Sequence, residues 1–131
     1  MSLRRFLTLW GPVALYAAAL YAASSRSEFP AVVALVWDKL LHAGAWAGLT
    51  VLALRATHRG KSPLRLGATL AAVAIALAYG LSDEFHQSFV TGREPSLLDF
   101  VADSVGTAAA VAGALAWQAL VRRNTERAPA A

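Results

Sequence analysis

Three short stretches hold six of the chain's eight acids and most of its other reactive side chains: Asp38-Lys39-x-x-His42, Asp83-Glu84-x-His86-Gln87, and Arg93-Glu94 with Asp99 and Asp103. Asp38 and His42, Asp83 and Gln87, and Asp99 and Asp103 are each four residues apart, so each pair occupies one helix face, one turn apart. Such groups permit three kinds of chemistry. Carboxylates beside an imidazole suit general acid/base work, with Glu84 or Asp83 and His42 as the candidate catalytic pair. Oxygen and imidazole donors also suit a divalent cation, but no tight ligand motif accompanies them, and neither a metal nor another cofactor is expected. The same groups can hydrogen-bond a polar headgroup, sugar or peptide, with Lys39 and Arg93 meeting an anion or serving as counter-charges. There is no Gly-rich phosphate loop, no G-x-S-x-G elbow and no HExxH.

Plainer roles compete with each of these. Asp38 and Asp99 suit N-terminal helix caps. Lys39 and Arg93 suit snorkelling to headgroups, His42 suits an interhelical hydrogen bond, and Trp37, Trp46 and Trp117 suit anchoring or packing. Asp83-Glu84 fits no plain role well, because two acids at a helix C-terminus oppose its macrodipole. A network holding them for a task is the better reading, since ionisable groups at membrane depth usually mark function.

The elements that must position these residues are apolar. Hydrophobic residues make up 57% of the 131 and charged residues only 15%, with a mean hydropathy of +0.49. Too little polar surface exists to cover a soluble globule, so a polytopic membrane protein is expected. Backbone groups in hydrocarbon must be satisfied internally, which makes each crossing helical. Four runs qualify: Phe6 to Ala23, Asp38 to Leu54, Leu64 to Leu81 and Phe100 to Val121. Breaker-rich turns separate them at Ser24 to Pro30, Thr57 to Pro63 and Thr91 to Ser96. Ala31 to Trp37 is too short to cross, and either lies at the interface or extends the second helix. The expected fold is all-α, a single domain over residues 1–131 forming a bundle of four transmembrane helices. The first run is longer than a signal-peptide core and reads as a retained anchor.

The net charge of +4 comes from separated clusters and not from one stripe, so no nucleic-acid partner is expected. Arg4, Arg5, Arg55, Arg59, Lys61, Arg65, Arg122, Arg123 and Arg127 fall on one predicted side, against Arg26, Lys39 and Arg93 on the other. The positive-inside rule makes both termini cytoplasmic and places all three reactive stretches at the outward rim of the membrane. Asp103 shares a stripe with Gly106 and Ala110, which aims it at neighbouring helices with Lys39 or Arg93 as counter-charge. Gly44, Gly48, Gly106 and Gly113 are expected to mark helix–helix seams within one bundle, with a dimer face as the second reading.

Taken in order, Asp38-Lys39-Leu40-Leu41-His42, Asp83-Glu84-Phe85-His86-Gln87-Ser88-Phe89 with Gly92-Arg93, and Ser96-Leu97-Leu98-Asp99 with Asp103-Ser104-Val105-Gly106 resemble the VanZ-like family of small bacterial membrane proteins. The resemblance covers about residues 10 to 115. Asp103 stands where that family more often has Asn, which adds a charge to be neutralised. The resemblance implies about four transmembrane helices and, for the founding member, an association with resistance to teicoplanin-type glycopeptides. It implies no mechanism. With the residues above, it leads to an outward polar pocket of Asp38, Lys39, His42, Asp83, Glu84, Gln87, Arg93, Asp99 and Asp103. The expected partners are membrane lipid and a lipid-linked or wall-precursor ligand. A small proton- or ion-coupled transporter subunit and a non-catalytic membrane scaffold are the alternatives.

Overall fold

The computed structural model describes residues 1–25 and 34–127, with no account of the side chains of residues 34–37 and 127. The turn holding Arg26 and residues 31–33 of the short apolar stretch lie outside the described residues. Four helices follow one another: α1 (Leu3–Ser24), α2 (Ala34–Thr57), α3 (Leu66–Gln87) and α4 (Leu97–Arg127). The described residues are helical and loop, without strands.

Each expected run is a helix, and all four extend past the expected bounds at one end or both, although α3 starts at Leu66 and not at Leu64. α2 begins at Ala34, so residues 34–37 extend it. α3 continues through Asp83, Glu84 and Gln87, which keeps those polar groups on a helical face. α2 ends because Arg59 takes a left-handed backbone, with φ 55°. The Gly60 N–H then reaches back to the Arg55 carbonyl (2.8 Å) and the Arg59 N–H to that of Ala56 (3.0 Å), which satisfies carbonyls the helix leaves open.

α1, α3 and α4 are long and apolar enough to cross a membrane. α2, at 24 residues, matches them in length, but Asp38, Lys39, His42 and Arg55 lower its hydropathy. It is the central helix, packed on the other three and most extensively on α4. Four crossings were expected from the sequence; by composition three qualify, and the fourth is the one that turns its polar groups inward.

The interior is small-residue and the exterior large. Ala53, Ala72 and Ala76 are fully buried, whereas Leu15, Leu66, Leu97 and Trp117 are each at least 70% exposed. Water would penalise that arrangement, but in lipid it gives close backbone packing inside and apolar contact outside. Leu9, Val13, Leu49 and Ala56 join α1 to α2, and Ala53, Leu54 and Ala72 join α2 to α3 and α4.

Two of the four expected glycine seams form. A Cβ at Gly106 would overlap the Ala43 carbonyl of α2, and one at Gly48 would press on the Tyr16 hydroxyl of α1. Gly44 and Gly113 are exposed with nothing within 4 Å of a built Cβ. The GxxxG spacing therefore overstated the contact: Gly44 lies one turn from Gly48, but on a face that no other described helix covers.

Candidate functional site

α2 and α4 meet along a polar ladder with a four-residue step. α2 supplies Asp38, His42, Trp46 and Thr50, and α4 supplies Asp99, Asp103 and Thr107. At the first rung the Lys39 ammonium bridges Asp38 (3.1 Å) and Asp99. At the second, His42 Nδ1 lies 2.9 Å from Asp103 Oδ1. Below them the Thr50 hydroxyl bonds the Trp46 carbonyl (2.7 Å) and the Thr107 hydroxyl (3.2 Å). The close approach at Gly106 brings these short side chains within reach of one another.

α3 adds its last two turns. The Gln87 amide donates to Asp83 Oδ2 (2.9 Å). Glu84 Oε2 accepts the Ser96 N–H (2.6 Å), and Ser96 Oγ in turn accepts the Asp99 N–H (3.4 Å) as α4 begins, an N-cap that positions Asp99. Glu84 thus ties the end of α3 to the start of α4. Arg93 sits half-buried in that loop, its N–H bonded to the Val90 carbonyl (3.0 Å). α1 joins through Ser25 Oγ, 3.0 Å from His86 Nε2, and Tyr21, whose ring centroid lies 4.1 Å from that of His86.

All nine sequence-predicted site residues therefore lie at one end of the bundle, on α2, α3, α4 and the α3–α4 loop. Lys39 joins Asp38 and Asp99, His42 meets Asp103, Asp83 pairs with Gln87, and Glu84 holds the loop. The expected pairings are rearranged. Asp103 is met by His42 and not by Lys39, because Asp103 and His42 sit on the same rung while Lys39 sits one turn nearer the rim. The carboxylate that hydrogen-bonds His42 is accordingly Asp103, not Asp83 or Glu84.

Burial grades the site. Asp38 and Lys39 keep about a third and a quarter of their side chains exposed, while His42 keeps 12% and Asp103 none. Asp83 and Gln87 are also buried. Among the described residues four buried oxygens here meet no donor: Asp83 Oδ1, Glu84 Oε1, Gln87 Oε1 and Asp103 Oδ2. A carboxylate-bound imidazole can exchange a proton at its outer nitrogen. Asp38, His42 and Asp99 can bring one ligand atom each within 4.8 Å of one another, although the Lys39 ammonium already neutralises two of them.

Sequence reasoning gave Trp46 no functional weight and did not single out Thr50, Thr107 or Gly80. The Trp46 indole donates to the Ala76 carbonyl of α3 (3.0 Å) and stacks beneath His42. Gly80 leaves room for it, since a Cβ there would lie 3.0 Å from Trp46 Nε1 and 3.1 Å from Asp103 Oδ2. Continuing the four-residue step from His42 and Asp103 was the available signal for Trp46, Thr50 and Thr107.

Membrane-crossing apolar helices around a buried polar ladder that opens at one end define a small helical-bundle membrane protein. The family model described as VanZ/LLP1 matches residues 3–120, and the chain belongs to that family. Neither a curated protein nor a solved structure matches it.

Proposed function

We propose that the polar end of the bundle is a pocket facing outward from a bacterial inner membrane, where it binds or modifies a lipid-linked or peptidoglycan-related component of the cell envelope. One observation carries this reading: half-buried Asp38, Lys39, His42, Glu84 and Arg93, from two helices and a loop, gather at a single end of an otherwise apolar bundle. Lys39 and Arg93 supply cationic donors for a phosphate or carboxylate, and the carboxylates accept from sugar hydroxyls, peptide amides or an amine. The Asp103–His42 pair is the acid–base couple if the ligand is modified, with Glu84 beside it at the rim. The positive-inside distribution of Arg and Lys supports the outward orientation. An open apolar groove of about 450 Å³ between α3 and α4, with Val73, Leu77, Val111 and Leu115 among its walls, offers an acyl chain a place below the headgroup. Sequestering or altering a wall precursor at this face would change susceptibility to glycopeptides, whose target lies outside the membrane.

A transporter would need the polar path to continue through the bundle. The ladder stops at Thr50 and Thr107, and the cluster of Ala53, Leu54 and Ala72 with Val111 and Ala114 closes the interior beyond it. The deciding experiment is retention of a lipid-linked wall precursor by the purified full chain. Retention is expected in the unaltered protein and lost in Arg93→Ala and Lys39→Ala; a protein that retains no such molecule refutes the pocket.

A further inference from the structure

Beneath the rim, three side chains are closed off from solvent, with Asp83 4% exposed, Gln87 1% and Asp103 0%. Each keeps one oxygen that no protein donor reaches: Asp83 Oδ1, Gln87 Oε1 and Asp103 Oδ2. Buried polar atoms without partners are rare and costly. Here every one is an acceptor; no buried side-chain donor among the described residues is stranded. Imperfect packing would strand donors and acceptors alike, whereas a surplus of acceptors alone calls for something positive.

The three share a surface. Gly80, Asp83 and Gln87 recur at i, i+3 and i+7 on α3, one helical face. That face is turned to α4, because a Cβ at Gly80 would come within 3.1 Å of Asp103 Oδ2. The oxygens are also pre-oriented. Gln87 gives its amide N–H to Asp83 Oδ2, so its carbonyl oxygen is left over. Asp103 commits Oδ1 to His42, so Oδ2 is left over. A second shell that holds ligands by their other atoms is how proteins build cation sites.

Charge points the same way. Among the described residues this end carries Asp38, Asp83, Glu84, Glu94, Asp99 and Asp103 against Lys39 and Arg93. Even with His42 and His86 protonated, the acids outnumber the bases six to four. Lys39 contacts Asp38 and Asp99 and not the deeper pair Asp83 and Asp103. Uncompensated carboxylates at membrane depth are expensive.

We infer that Asp83, Gln87 and Asp103 hold a hard divalent cation between α3 and α4. Two carboxylates and an amide carbonyl are the donors that Ca²⁺, Mg²⁺ and Mn²⁺ prefer, and the donor set lacks the nitrogen and sulfur that favour Zn²⁺. This inference stands apart from the envelope ligand, since it is read without one.

The test uses the full chain in phosphatidylcholine nanodiscs, with Mn²⁺ as the probe followed by the electron paramagnetic resonance of the free ion. One saturable Mn²⁺ per chain is expected, displaced by Ca²⁺ or Mg²⁺. Asp83→Asn and Asp103→Asn should each weaken it on the order of tenfold or more, and Glu126→Gln, at the far end of α4, should leave it unchanged. Gln87→Leu removes both the ligand oxygen and the N–H that holds Asp83, so it should bind Mn²⁺ on the order of tenfold more weakly than the unaltered chain. Absence of saturable binding in the unaltered protein overturns the inference. So does a loss below tenfold in both folded Asn variants, or undiminished binding by folded Gln87→Leu. Failure here leaves precursor retention, measured separately, untouched.

Discussion

The two ends of the bundle bury polar side chains to opposite effect. At the end where α2 turns into α3, His58 Nδ1 lies 2.9 Å from the Leu54 carbonyl and its Nε2 accepts the Arg65 N–H (2.9 Å). Gln118 Oε1 of α4 accepts the neighbouring Leu64 N–H (2.8 Å). Arg55 donates to the Thr8 carbonyl (3.0 Å). Each polar group there serves backbone: the Leu64 and Arg65 N–H groups precede α3, and the Thr8 carbonyl lacks its helical donor because Pro12 stands four residues on. At the other end side chains mostly pair with side chains, and four oxygens are left over. A buried polar group recruited for structure finds backbone; a surplus of acceptors with no backbone to serve is held ready for something else.

The seam that holds both ends together gives the sharpest break. Gly106→Leu drives a side chain into the Ala43 carbonyl, and backbone cannot swing aside. The folded bundle should be destabilised by about 3 kcal/mol or lost outright, seen as aggregation in size-exclusion chromatography after mild heating. Gly48→Ala meets only the Tyr16 hydroxyl, the far end of a side chain that can shift, so it should cost less. Equal losses at the two glycines would mean that the α2–α4 contact is not the tightest in the bundle.

Next come the structural polar groups. His58→Ala and Gln118→Ala each strand a backbone N–H, at a cost of roughly 1–2 kcal/mol. Both should lower the thermal midpoint while precursor retention per folded molecule stays intact. A loss of retention at unchanged stability in either variant would erase the distinction between the ends.

Much of this was legible in the sequence, for reasons that particular residues make plain. Apolar run length located all four helices, because lipid admits little else. The spacing of Asp38 with His42 and of Asp99 with Asp103 placed those pairs on single faces, and alternation of helix direction brought them to one end. Pair identity was not legible. Whether Asp103 meets Lys39 or His42 depends on the axial register of α4 against α2, which is set by Gly106 on the Ala43 carbonyl, a contact no local pattern reports. Gly44 and Gly113 misled for the same reason: small-residue spacing marks a face, and only packing decides whether another helix lies on it. His58 and Gln118 carried no signal at all, since the backbone N–H groups they serve are far from Gln118 in sequence.

The rim itself is sharpened by Glu84→Gln. The glutamine oxygen can still accept the Ser96 N–H, so the α3–α4 tie is kept while a charge is removed from a crowded acidic end. Stability should change by less than about 1 kcal/mol, and precursor retention should fall. A parallel loss of both in Glu84→Gln and His42→Ala would favour a scaffold whose network only locks helices.

The smallest effect is the most discriminating about packing in lipid. Gly44→Ala and Gly113→Ala place a methyl where nothing lies within 4 Å, on surfaces turned to the membrane. Alanine restricts the unfolded chain and suits a helix better than glycine, so each should stabilise by about 0.5–1 kcal/mol. Thermal unfolding in nanodiscs measures it. Destabilisation instead would require a second helix on those faces, and with an intact single bundle that helix must come from another copy of the chain. Cross-linking at the same two positions would then report a dimer.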